Sequence, residues 1–227
     1  MSNVQIHVVV EGATEQTFVR DVLAPEMAIK GVYLQAAKIG KPGHKGGDIR
    51  FERALNDIGN FLKQRKDIYI STMFDYFRID SNWPGKSKVQ KRIREGTSLS
   101  AIQKAEILES ATQVEIDKTF SEWDPGSRFI PYIEMHEFEA LLFSDAHKLA
   151  DIINIDRSRI EKILGDFNNP EEINDDPTKA PSKQLLALKL GYRKVAMGKA
   201  VSEAIGIQAI RRKCPHFNNW LVKLENL

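Results

Sequence analysis

The segment VQIHVVVEGATEQTFVR (4–20) constrains the fold more than any other stretch. Residues 6–10, IHVVV, form a short apolar, β-branched run that reads as a buried strand. The run ends in Glu11, turns at Gly12 and brings a second carboxylate, Glu15, one helical turn later. A buried strand gains nothing from a charge at its end, so Glu11 is either solvated or holds something.

The next elements repeat the theme. Thr14 is placed to cap a helix whose apolar face is Phe18, Val19 and Val22, with Pro25 expected to end it. VYLQAAK (32–38) is a second candidate strand, and FERALNDIGNFLKQ (51–64) carries Phe51, Leu55, Ile58 and Leu62 at helical spacing. DIYISTMF (67–74) is a third strand that runs directly into Asp75. Alternating strands and helices predict an α/β fold with a mostly parallel central sheet of about four strands. Residues 76–98 read as irregular and basic, SAIQKAEILESATQVEIDKTF (100–120) as a long amphipathic helix, and RFIPYIEM (128–135) as the fourth strand. HEFEALLF (136–143) switches to helical spacing, two short helices follow, and 169–182 is a polar loop before a helical remainder. The expected organisation is a core over 1–145, with the basic insertion 76–98, and a helical C-terminal extension over 146–227 packed on it.

Composition narrows the function classes. No apolar run reaches the ~18–20 residues of a membrane span, and Glu11 interrupts the N-terminal apolar stretch, so neither a membrane partner nor a signal peptide is expected. The single cysteine, Cys214, excludes an internal disulfide or a cysteine metal cluster, fits a cytoplasmic location and reads as a packing residue. A net charge of +2 sets up no global field for a polyanion. The charge is locally segregated, however: KSKVQKRIR (86–94) carries Lys88, Lys91 and Arg92 among five cations, and a glycine-rich loop adds Lys41 and Lys45.

Function in parallel α/β sheets collects at the carboxyl ends of the strands. Here the first strand ends in Glu11 with Glu15 beyond, the third in Asp75 with Asp80 nearby, and the fourth in Glu134 followed by Glu137 and Glu139. Singly, each has a plain role: Glu15 suits a helix N-terminus, Asp75 a turn, Glu137 a helix start and Glu139 a solvated helix position. Together at one sheet edge they would repel each other unless cations neutralise them. Oxygen-only donors suit Mg²⁺ or Mn²⁺, and one or two ions, the latter ~4 Å apart, would serve a phosphoryl transfer.

VVVEGATEQTFV (8–19) resembles the first motif of TOPRIM domains, in the OLD-nuclease version with a second glutamate four residues on. VEGATEQTFV, TMFDYFRID with SNWPG, YIEMHEFEALLFSD and APSK, in that order along nearly the whole chain, resemble the bacterial "domain of unknown function 4276" family. The resemblance implies a TOPRIM-like core and metal-dependent cleavage of nucleic acid by an effector of phage-defence or mobile-element systems. By position, Glu11 matches the first-motif glutamate, Glu15 the second, and Asp75 the first aspartate of a DxD motif. Phe77 stands where the second aspartate would be, which leaves Glu134 or Glu137 to supply the missing carboxylate and one or two metals open.

A nuclease of this kind also needs a cation near the scissile phosphate, and Lys183 of APSK is the first candidate. His136 is a secondary ligand or proton donor, Tyr76 a packing residue, and Trp83 either a base-stacking residue or a core residue beside Pro84. Lys41, Lys45, Lys88, Lys91 and Arg92 would hold a nucleic-acid backbone. No GxxxxGK[ST] loop is present, so an ATP-driven step would come from a partner ATPase. Two other functions suit the same carboxylates: a metal-binding adaptor or regulatory subunit of such an ATPase, and a small-molecule phosphohydrolase.

Overall fold

Val8, Val9 and Val10 are all fully buried because strand β1 (Val4–Val10) has both faces covered. The computed structural model describes residues 3–40, 49–173 and 176–227. In it, β1 pairs in parallel with β2 (Val32–Lys38) on one side and with β3 (Tyr69–Asp75) on the other. Beyond β3 lie β4 (Phe129–Ile130) and β5 (Ile133–Glu134), both parallel to it, in the order β2-β1-β3-β4 with β5 also on β3. The α/β reading therefore stands, with five strands. The single expected strand 128–135 is split because Pro131 has no N–H for the ladder. At the break the Thr72 hydroxyl takes over, accepting from Tyr132 N–H at 2.9 Å and lying 3.0 Å from Tyr132 O.

Period-two alternation sorts the strand residues into two cores. Ile6, Val8 and Val10 pack with Phe18, Leu23, Phe138 and Leu141 and with Leu149, Val201, Phe217 and Trp220 of the C-terminal helices. Val9, Ile70 and Phe74 face the opposite layer of Ile58, Leu62, Trp83, Leu108 and Ile116. With β2 and β3 on opposite sides of β1, the strand order reverses between β1 and β3, the position at whose carboxyl edge parallel α/β sheets place their sites.

Three local expectations change. The first helix is capped at Gly12 rather than Thr14, with the Glu15 carboxylate taking the Gly12 N–H at 2.9 Å. It continues through Pro25 to Ala28, because the wide turn Val19–Leu23, in which Ala24 N–H reaches Val19 O, admits the proline ring. The stretch 76–98 is not irregular throughout: Lys86–Arg94 is a helix, pinned by fully buried Val89. Its entry needs glycine. Gly85 has φ 84°, and a Cβ there would lie 2.7 Å from Ile107 O. Gly85→Ala is expected to cost about 2–3 kcal/mol, read as a lowered urea midpoint with unchanged slope. No helix among the described residues is long and apolar enough to cross a membrane.

Candidate metal centre

The carboxyl edge of the sheet carries carboxylates from three strand ends. Glu11 follows β1 directly, Asp75 closes β3, and Glu137 and Glu139 lie just past β5. Each is held by a donor of the chain. Glu11 Oε1 accepts from Arg78 Nε at 2.7 Å. Asp75 Oδ1 accepts from Phe138 N–H at 2.9 Å. Glu137 Oε2 accepts from Ser182 N–H at 2.9 Å, in the first turn of helix Pro181–Leu188. Glu139 Oε1 lies 3.1 Å from Lys194 Nζ, at the start of helix Lys194–Ile205.

Burial and crowding shape the protonation of the group. Burial pushes Asp75 well above the usual carboxylate range, and the charges of Glu15, Glu11, Glu139 and Glu137 push it further. Burial likewise raises Glu11 against the opposing Arg78, and raises Glu15, with Glu11 adding to the effect. Glu139 is brought to about 7 by burial, which outweighs Lys194. Lys194 is raised in turn: burial works against its charge, but Glu139 and Glu137 dominate. Burial is the first cause for all four acids, and like charge from the neighbouring carboxylates adds to it.

The expected site residues divide. Glu11, Glu15, Glu137 and Glu139 all lie near enough for their charge to raise Asp75, and Glu139 is buried rather than solvated. Glu134 is fully buried: its Oε2 accepts from Tyr132 Oη at 2.8 Å, its Oε1 has no hydrogen-bond partner, and the charge of Glu15 is among those that raise it. Lys183 is exposed on the turn whose backbone holds Glu137, while Arg78 meets Glu11 and Lys194 meets Glu139. Trp83 is a core residue, with Nε1–H on Thr112 Oγ1 at 2.9 Å, so the base-stacking role is excluded. His136 is buried against Phe77, Asp80 accepts from Asn82 N–H, and buried Cys214 lies 3.3 Å from Ser144 Oγ. Lys88, Lys91 and Arg92 are exposed on helix Lys86–Arg94; Lys41 and Lys45 fall outside the described residues.

Arg78 and Lys194 escaped the sequence reading. Arg78 had a local signal, three residues past Asp75 in the turn closed by Arg78 N–H on Asp75 O. Lys194 had none. Its place depends on Gly198 one turn later, where a Cβ would meet the Phe138 ring at 3.1 Å and Thr14 Cγ2 at 3.7 Å. That close approach seats the helix against the first helix of the chain.

Among the described residues, no group of three or more His, Cys, Asp or Glu side chains is arranged to hold a metal ion. The donor chemistry nevertheless fits a hard divalent cation, being all carboxylate oxygen. Glu11 Oε2 is buried with no hydrogen-bond partner, an atom with a reason to meet a cation. The profile of the family described as Domain of unknown function (DUF4276) matches residues 10–225. The chain belongs to this family. Neither a curated protein nor a solved structure matches it. The DUF4276 match starts one residue before Glu11 and extends past Lys194, so the entire carboxylate cluster lies inside it.

Proposed function

We propose that this DUF4276 chain is a divalent-cation-dependent nuclease that hydrolyses phosphodiester bonds in nucleic acid. The observation that carries the reading is the convergence of Glu11, Glu15, Asp75, Glu137 and Glu139 at the carboxyl edge of a parallel sheet, opposed by Arg78 and Lys194. Glutamate after the first strand and aspartate closing the third support a TOPRIM-like arrangement, with Glu137 and Glu139 supplying the carboxylate that Phe77 lacks.

Glu11, Glu15, Asp75 and Glu137 would hold Mg²⁺ or Mn²⁺. An ion there supplies positive charge against phosphoryl oxygens and Lewis acidity toward the attacking water. The remaining work belongs to the chain. Lys194 Nζ presents a fixed charge beside Glu139 and is placed to offset charge developing on the phosphate or leaving oxygen. The Glu139 carboxyl, at about 7, can give or take a proton near neutral pH. Burial of the carboxylates keeps bulk water from screening these charges.

The test is incubation with plasmid, single-stranded DNA and tRNA in Mg²⁺, Mn²⁺ or EDTA, with Glu11→Gln and Asp75→Asn alongside. Cleavage is expected only with the wild type and a divalent ion. Metal-dependent cleavage by both variants would overturn the site, and no cleavage of any polymer would overturn the nuclease reading. For the exposed basic helix, replacing Lys88, Lys91 and Arg92 with alanine is expected to flatten the salt dependence of nucleic-acid binding. The log–log slope should fall by roughly 0.9 per lost phosphate contact on duplex DNA.

A further inference from the structure

Phe77 occupies the tip of the turn that joins two parts of the carboxylate cluster. Asp75 lies at one end in the cluster, and Arg78 at the other reaches Glu11. The Phe77 ring stacks on His136 with centroids 5.1 Å apart and planes 24° from parallel, while Tyr76 closes the side at 5.7 Å. Backbone bonds fix the arrangement: Phe77 N–H donates to His136 O at 3.3 Å, and Tyr76 N–H to Glu134 O at 2.9 Å. His136 is buried and its chain neighbour Glu137 belongs to the cluster. Phe77 itself is only half-buried, unlike Phe74 and Trp83 nearby, which are core residues. The ring is backed by His136 and remains partly exposed at the turn.

We infer that Phe77, backed by His136, is a stacking platform for an unpaired nucleobase next to the bond that is cut, which makes single-stranded or locally unpaired nucleic acid the substrate class. This rests on the nuclease reading. Bases in a duplex already have both faces covered by their neighbours, so only an unstacked base can use an aromatic face. The start of the basic helix is tied to the same turn: Lys86 Nζ donates to Tyr76 O at 2.9 Å and lies 3.7 Å from the Tyr76 ring centroid. The helix that carries Lys88, Lys91 and Arg92 thus begins at a residue bonded to the Phe77 turn.

Binding separates the base from the backbone. Fluorescence anisotropy in Ca²⁺ would compare an oligothymidylate, an oligouridylate, an abasic strand of equal length and a DNA duplex. Wild type is expected to prefer the base-bearing single strands to the abasic strand by roughly ten-fold or more. Phe77→Leu, which keeps apolar volume without a π-face, should bind all single strands as weakly as the abasic one, with duplex affinity unchanged. Phe77→Trp should retain the preference and controls for folding. DNA-only or RNA-only preference would support the platform and identify which sugar it accepts. Equal wild-type binding of base-bearing and abasic strands, or a preference that survives Phe77→Leu, would overturn the platform and leave the nuclease reading standing. Absence of binding to every strand would overturn both.

Discussion

Asp75→Asn is expected to lower metal-dependent cleavage about 10³-fold while leaving the folded chain as stable as before, or more so. The two effects separate because Asp75 is surrounded by like charge. Its carboxyl is buried and raised first by burial, then by Glu15, Glu11, Glu139 and Glu137. An asparagine keeps the shape and one acceptor for the Phe138 N–H now held by Asp75 Oδ1. It cannot ionise, so folding no longer has to bury a charge or hold a proton that the unfolded chain releases. The melting temperature in EDTA should therefore hold or rise, by about 2–4 °C for each kcal/mol gained. A purely structural Asp75 would behave in the opposite way, with stability falling and cleavage following it. Calorimetry and cleavage on the same preparation distinguish the two.

The second large effect is the response of stability to pH and divalent ions. Glu11, Glu15, Asp75 and Glu139 all have folded pKa values above their unfolded ones. The folded chain therefore keeps protons that the unfolded chain has released, and the associated stability is complete below the unfolded values. It is lost as pH rises through the folded ones, from the ordinary 4.5 of a glutamate to about 7 for Glu139. Without divalent ions, stability from this cluster should decline across that window. Mg²⁺ or Mn²⁺ requires the deprotonated forms, so it should stabilise most where the cluster alone is least favourable. An ion at 100 times its dissociation constant contributes about 2.7 kcal/mol, an upward shift of roughly 5–10 °C at about pH 8, with little shift at about pH 5. Melting curves at the two pH values, with and without EDTA, measure it directly. An equal shift at both, or the same shift in Asp75→Asn, would place the ion elsewhere.

The acids were legible in the sequence because their signal is local. A parallel strand covered on both faces must be apolar throughout, so a carboxylate at its end marks the edge of the sheet. Glu11 and Asp75 each sit against such a run. The fourth strand was harder. Its ladder is broken at Pro131, and side-chain direction past the break depends on pairing with β3. Past the break Glu134 bonds Tyr132, while Glu137 and Glu139 contribute charge that raises Asp75. The basic helix was hidden because Val89 is its one buried apolar residue, too little for a period of 3.6 to show.

The sequence by itself determined the α/β alternation, the strands that end in carboxylates, the family and the surface run of cations. These are nearest-neighbour properties: side-chain period, turn chemistry and charge at the end of an apolar run. Tertiary structure alone decided which cations answer those carboxylates. Arg128 shows the same principle away from the site, its guanidinium donating to the carbonyls of Leu62, Arg65, Ile68 and Trp123. Lys194 reaches Glu139 because helix Lys194–Ile205 docks through Gly198 against Phe138 and Thr14. A contact between segments so far apart in the chain is set by close packing, and close packing has no period to read.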